Sequence, residues 1–243
     1  MANVQSAGSE PTARRLTLAI DVGGTGLKAS VIDEAAQMVT ERVRLPTPVG
    51  APPQEVIKVL VGMVTPLAPF DRVSVGFPGV VREGRVLTAP NLGNDLWHGY
   101  ELARELDIAL GKPVRLANDA DLQGLAVIAG KGVEMVITLG TGFGTGLYLD
   151  GHLAPHLEMS HHPFRHGETY DEQLGNAARK AIGGARWNKR VKKAIATLRR
   201  LTTFDHLYVG GGNAKKIDFE LDPDVTIVSN DAGMKGGVAL WRY

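Results

Sequence analysis

Leu18-Ala19-Ile20-Asp21-Val22-Gly23-Gly24-Thr25-Gly26-Leu27-Lys28-Ala29-Ser30-Val31-Ile32-Asp33 is an apolar run ending on an acid, a glycine turn, and a second β-branched run leading out. The pattern predicts a hairpin whose tip presents backbone N–H groups beside a carboxylate. Ile137-Thr138-Leu139-Gly140-Thr141-Gly142-Phe143-Gly144-Thr145-Gly146-Leu147-Tyr148-Leu149-Asp150 repeats that grammar about half a chain later. Two such tips predict a duplicated unit, with two phosphate-cradling loops facing one cleft.

Outward from the first hairpin, residues 37–45 alternate as a third strand, and Pro46, Pro48, Pro52 and Pro53 stiffen the next loop. Pro53 suits the first position of a helix over 53–65. A buried strand at 71–76 runs into Gly76-Phe77-Pro78-Gly79, a hairpin-like segment covers 80–87, and a helix near 100–110 precedes a strand at 113–117. Asn118-Asp119-Ala120-Asp121 opens a helix reaching about residue 129. The second half follows the same order. After its hairpin (133–139 and 144–149) comes a helical region over 170–201, broken at Gly183-Gly184. A strand at 206–209, the turn Gly210-Gly211-Gly212, a strand at 225–228 and a closing helix over 231–241 finish the chain. The doubled order predicts an α/β fold of two domains with a cleft between them. Residues 1–15 form a loose tail, 16–118 the first domain and 119–243 the second, with the closing helix able to pack back on the first.

At 243 residues and 44% apolar, the chain can bury two modest cores. A net charge of +1 points to neither nucleic acid nor membrane as a partner. The absence of cysteine excludes disulfides and thiolate zinc sites. The longest apolar stretch, around 56–64, carries Lys58 and stops at Pro66, too short to span a bilayer. Residues 1–15 are polar and do not read as a signal peptide. The expectation is a soluble cytoplasmic protein.

Three mechanisms compete for the glycines. A P-loop needs a Lys-Ser/Thr pair opening a helix, and none is present. Gly24-Thr25-Gly26-Leu27-Lys28-Ala29 matches a dinucleotide fingerprint by letter, but Ser30-Val31-Ile32 is strand-like and offers no helix N-terminus. An ordinary hairpin needing φ > 0 explains one loop. Two loops that both pair glycines with threonine favour phosphate, so Gly23, Gly24, Thr25, Gly140, Thr141 and Gly142 are the phosphate-binding candidates. Lys28 is either a further phosphate cation or a solvated strand lysine.

Asp21-Val22-Gly23-Gly24-Thr25, Gly76-Phe77-Pro78-Gly79-Val80, Asn118-Asp119-Ala120-Asp121, Leu139-Gly140-Thr141-Gly142-Phe143-Gly144, Glu158-Met159-Ser160-His161 and Gly210-Gly211-Gly212 occur in one order along the chain. Over about residues 16–240 this order resembles the ROK-family sugar kinases, and most of all their polyphosphate-using glucokinase and glucomannokinase branch. The resemblance implies the duplicated actin/hexokinase-like (RNase H-like) fold. It also implies phosphoryl transfer from polyphosphate and/or ATP to the 6-hydroxyl of glucose, and a homodimer. Asp119 resembles the catalytic base. Gly79, Asn91, Asn118, Glu158, His161 and one of Asp171 or Glu172 stand where the family binds sugar. Asp21 would hold Mg²⁺. Gly210, Gly211, Gly212, Asn213 and Lys215 fall where ATP-using relatives line the adenosine pocket.

Plain readings stand beside these. Asn118 or Asp119 caps a helix, Asp121 interacts with a helix dipole, Gly79 and Asn91 serve turns, and the triple glycine is a tight turn. Ser160 replaces the family's usual glycine. His152, His156, His161, His162 and His166 fall within fifteen residues, yet the cysteine-rich zinc loop of many relatives cannot exist here. The alternative within the resemblance is an ATP-dependent kinase for mannose or fructose. A sugar-responsive regulator would need a helix-turn-helix domain that the fifteen polar residues before the first strand do not supply. An actin- or Hsp70-type nucleotide switch would share Asp21 and the glycine hairpins but leave Asn118-Asp119, Glu158 and His161 unexplained.

Nine basic residues and no acid lie within 179–200: Arg179, Lys180, Arg186, Lys189, Arg190, Lys192, Lys193, Arg199 and Arg200. Trp187, Val191, Ile195 and Leu198 interleave at helical spacing, so one face packs and the other is cationic. A solvated helix normally mixes signs. A polyanion track through Arg186, Lys189, Arg190, Lys192 and Lys193 is the sharper expectation.

Overall fold

Strand parity decides which side chains meet. In the computed structural model, which describes residues 15–48, 50–67, 69–229 and 235–242, the first hairpin is β1 (Thr17–Val22) and β2 (Gly26–Ile32). The first unit continues with β3 (Val43–Pro46), α1 (Pro53–Val64), β4 (Arg72–Phe77), the short pair β5 (Val81–Arg82) and β6 (Arg85–Val86), α2 (Asn94–Trp97), α3 (Leu102–Leu110) and β7 (Val114–Asn118). Helix α4 (Asp119–Leu125) leads to β8 (Val133–Leu139), β9 (Phe143–Leu149), β10 (His152–Leu153) and the pair β11 (Pro163–Arg165) and β12 (Glu168–Thr169). Then come α5 (Tyr170–Leu174), α6 (Asn176–Ile182), α7 (Gly184–Thr202), β13 (His206–Gly210), a 3-10 turn (Ala214–Lys216), β14 (Val225–Ile227) and α8 (Gly236–Ala239).

The two large sheets run β3-β2-β1-β4-β7 and β10-β9-β8-β13-β14. In each, the first three strands pair antiparallel and the last two join in parallel. The same order and sense twice over is a structural duplication. Leu18, Ile20 and Val22 alternate into a core with Val73, Val75, Phe77 and the α1 and α3 residues Leu60 and Leu106. Met135, Ile137 and Leu139 do the same against Trp187, Val191 and Leu198 of α7. The opposite faces meet α4 and α8: Leu122 and Leu125 cluster with Val136, Tyr148, Tyr208 and Ala239, while Ala19 packs on Val238. Because strand side chains alternate with period two, Asp21 shares the α4 side with Ala19.

Several boundaries differ from the sequence expectations. The strand expected over 37–45 is split, because Asp33 receives the Gln37 N–H and turns the chain. Only an isolated Ile32–Met38 bridge precedes β3. Helix α4 stops at Leu125, not near 129, because the Ala129, Gly130 and Lys131 N–H groups turn onto the Glu134 carboxylate. The region 170–201 breaks at Gly175 as well as Gly183. A Cβ on Gly175 would lie 2.5 Å from the Thr141 carbonyl, so the chain passes the second hairpin too closely for a side chain. Of the closing helix expected over 231–241, residues 231–234 lie outside the described residues, as do 1–14 of the expected tail.

Candidate active site

The hairpin glycines are not there for left-handed backbone. None of Gly23, Gly24, Gly26, Gly140 or Gly142 has a positive φ. Close approach explains them instead. A Cβ on Gly24 would sit 2.9 Å from the Asn91 Cβ, and one on Gly142 would sit 2.5 Å from Asp171 Oδ1. Gly140 is the exception: a Cβ there would meet open space, and its N–H donates to the Gly142 carbonyl at 3.0 Å, closing the tip on itself. The first tip is tied down by Thr47, whose hydroxyl donates to the Gly23 carbonyl at 2.5 Å. The Asn176 N–H and the Asn213 side-chain amide donate to the Gly140 carbonyl at 3.0 and 3.1 Å. Gly211, at φ +88°, brings the triple-glycine turn against Leu139, where a Cβ would meet the carbonyl at 2.4 Å. The second phosphate candidate and the expected donor turn are therefore neighbours. Lys215 lies exposed in the 3-10 turn that follows.

Asp21 and Asp119 line one pocket with Ser74, Gly76, Leu122 and Gln123. Asp21 lies opposite Lys28 in the hairpin register, and the Lys28 ammonium sits 2.7 Å from Asp21 Oδ2. Lys28 is thus an ion-pair partner of Asp21, which neither sequence reading anticipated. Asp119 is half-buried, and its carboxyl is pushed up to about 6 by burial and then by the neighbouring Asp21 charge, against a hydrogen bond from the Ala120 N–H. Such a group is a carboxylate at neutral pH and a competent proton acceptor.

Asn118 is a cap in this structure. Its Oδ1 accepts from the Ala120 and Asp121 N–H groups at 2.8 and 3.4 Å, and its Nδ2 donates to the Gly79 carbonyl at 3.0 Å. The amide expected on sugar is spent on backbone, fixing the Gly79 turn beside Asp119. Gly79 itself admits no side chain, since a Cβ would lie 2.0 Å from the Thr88 carbonyl.

On the other wall, Glu158 is held at both oxygens. Oε1 accepts from the Ser160 N–H at 3.0 Å and from the Ser160 hydroxyl, and Oε2 lies 3.5 Å from His156 Nε2. His161 is exposed and close enough to favour the ionised forms of Glu158 and Asp171. Between the two acids left open by the sequence, Asp171 is the half-buried one, accepting the Phe143 N–H at 2.5 Å beside the second hairpin tip. Glu172 closes a capping box with Thr169 and is exposed. Asn91 is exposed and abuts Gly24. Sequence reasoning missed His156, which only its burial and partners reveal. It also gave Ser160 no role.

Helix α7 buries Trp187, Val191, Ala194, Ile195 and Leu198, and exposes Arg186, Lys189, Lys192 and Lys193. Among the described residues, Arg199 alone of the nine cations is ion-paired, to Asp222 at 2.8 Å and to Asp224. Arg190 is held below its ordinary value by burial and by the Arg165 charge from β11. Arg165 therefore joins the cationic face, unsuspected from the sequence.

A family model described as the ROK family matches residues 17–161. A polyphosphate glucokinase from Mycobacterium tuberculosis is 31% identical over 217 residues, covering 85% of this chain and 81% of the relative. An inorganic polyphosphate/ATP-glucomannokinase from Arthrobacter sp. strain KM superposes with a TM-score of 0.80 at 30% identity, over 92% of this chain and 97% of that one. A ROK family glucokinase from Streptomyces griseus, solved with glucose and AMPPNP, gives 0.73 at 19% identity over 93% and 97%, and shares the actin/hexokinase-like fold.

Proposed function

The chain belongs to the ROK family, and on that premise we propose that it is a glucokinase transferring a phosphoryl group from polyphosphate and/or ATP to the 6-hydroxyl of glucose. The observation that carries the reading is the pairing of Asp21 and Asp119 in one pocket, at the end of the strand that leads into the first glycine tip and at the start of α4. Glu158, His161 and Asp171 lie close enough to one another for their charges to interact.

In this reading Glu158, His161 and Asp171 hold the sugar hydroxyls, with Asn91 and the Gly79 backbone at the rim. Asn118 shapes the Gly79 turn and fixes the start of α4. As the 6-oxygen attacks phosphorus, its proton passes to Asp119 and the bridging oxygen of the donor leaves with the remaining phosphate. Backbone N–H groups at Gly24, Thr25, Thr141 and Gly142 receive the charge spread over the transferring oxygens, while the Gly23 and Gly140 N–H groups close the two tips onto the Gly26 and Gly142 carbonyls. The triple-glycine turn with Asn213 and Lys215 receives the rest of the donor.

The donor set fits Mg²⁺. Asp21 is a half-exposed carboxylate, and among the described residues no three His, Asp or Glu side chains form a closed cage. A cation sharing its coordination with water and phosphate suits that arrangement. Bound there through Asp21, Mg²⁺ would neutralise phosphate charge, and Lys28 would share the same carboxylate.

Steady-state assays with glucose and either ATP or long-chain polyphosphate, with and without Mg²⁺, test the proposal. Mg²⁺-dependent glucose 6-phosphate formation is expected. No product with either donor would overturn it, and turnover of mannose but not glucose would change the substrate.

A further inference from the structure

His156 is absent from the proposed chemistry, yet its side chain is almost wholly buried beside Glu158. Its side chain is 6% exposed and lies between two carboxylates, with Nδ1 2.9 Å from Asp121 Oδ2 and Nε2 3.5 Å from Glu158 Oε2. Asp121 is 3% exposed, and its Oδ1 has no hydrogen-bond partner among the described residues. The Tyr148 hydroxyl donates to the Asp121 carbonyl at 2.6 Å, pinning that turn of α4. Glu158 is the only open end of this row, at 28% exposure.

A neutral imidazole carries one N–H and presents a lone pair at its other nitrogen. Between two carboxylates, that lone pair would face a carboxylate oxygen in a buried setting. An imidazolium donates in both directions and neutralises part of two buried charges. Burial lowers the His156 pKa, but the hydrogen bonds and charges of Asp121 and Glu158 outweigh it and leave it raised to about 10. The opposite jaw is Ser160, whose N–H and hydroxyl both reach Glu158 Oε1. Side chains at both ends thus fix the carboxylate plane, leaving its remaining lone pairs for donors arriving from the open side.

We infer that His156 is a positioning residue: as an imidazolium bridging Asp121 and Glu158, it orients the Glu158 carboxylate to accept from sugar hydroxyls. It also ties the sugar wall to α4, the helix that carries Asp119 two residues before Asp121. The inference rests on the sugar-site reading of Glu158, and the variants separate the two.

Glucose KM and kcat are measured for Glu158→Gln, His156→Ala, His156→Gln, Asp121→Asn and the Glu158→Gln/His156→Ala double variant. The expected result is a rise of about tenfold in glucose KM for Glu158→Gln and for His156→Ala, exceeding any fall in kcat. The double variant should be no worse than Glu158→Gln, because His156 acts through Glu158. His156→Gln keeps the volume and should recover little, since one amide nitrogen cannot reach both acids. Nitrogen NMR of the wild-type ring, which needs no variant, should show an imidazolium at pH 8. Asp121→Asn should shift it toward the neutral form. An unchanged glucose KM in Glu158→Gln removes the sugar reading and this inference together. A raised KM there with His156→Ala unaffected, strictly additive effects in the double variant, or a neutral ring at pH 8 each removes the inference alone.

Discussion

Asp119 sits where burial and a second carboxylate both resist its ionisation, which pushes it up to about 6. A base must be deprotonated to act, so sugar phosphorylation should lose activity as pH falls through 6 and level off above it. Asp119→Asn keeps the shape but accepts no proton. Its kcat should fall by roughly 10²–10⁴ while calorimetric glucose affinity stays within a few-fold. Near wild-type turnover would remove Asp119 from the reaction. Glu134 is the contrasting acid. It is buried and accepts the Ala129, Gly130 and Lys131 N–H groups at 2.6, 2.7 and 3.0 Å and the Tyr208 hydroxyl at 2.9 Å. Glu134→Gln turns an NH₂ toward these donors and should cost about 2–3 kcal/mol in thermal unfolding, with little change in glucose KM. Asp119 was legible as a candidate because Asn-Asp opens a helix after a strand. His156 was not, because its partner Asp121 lies 35 residues away and neighbouring histidines mask it.

At the scale of elements, the two hairpins were legible because β-branched runs and glycine tips repeat within a short span. What the glycines do was not, since close approach to Asn91 and Asp171 depends on residues far along the chain. Helix α7 was legible as amphipathic, but not which of its cations were committed. Arg199 belongs to Asp222 and Asp224. Lys193 lies over the Phe164 ring at 5.3 Å. Replacing Lys189, Arg190, Lys192 and Lys193 with glutamine should raise KM for long polyphosphate tenfold or more, and for ATP far less. The salt dependence should also flatten, since each phosphate contact contributes a slope of about 0.7–0.9 by analogy with nucleic acids. Equal effects on both donors would leave α7 a merely soluble helix.

Across the whole molecule, the duplication could be read from the repeated hairpins, whereas the way residues 235–242 close the fold could not. Gly236-Gly237-Val238-Ala239 has no amphipathic period to announce a partner. Yet a Cβ on Gly236 would lie 1.7 Å from the Leu122 carbonyl, so α8 and α4 touch backbone to backbone. Gly236→Ala must part them and should cost about 1–3 kcal/mol in denaturant unfolding; an unchanged midpoint would refute that packing. The Ser74 hydroxyl donates to the Gly237 carbonyl at 2.6 Å, and Trp241 Nε1 donates to Ser74 Oγ at 2.8 Å. Arg72 and Arg115 lie over the Trp241 ring at 5.3 and 4.7 Å. Ser74 and Gly237 are 163 residues apart in the chain. At the usual pace of a ribosome, the first sheet therefore waits roughly 8–33 s for its second cover. During that interval a nascent chain carries β1 and β4 with one face covered by α4 alone, a natural landing place for a chaperone. A chain stalled before residue 235 never completes that cover, and the helix bearing Asp119 is left without its backing.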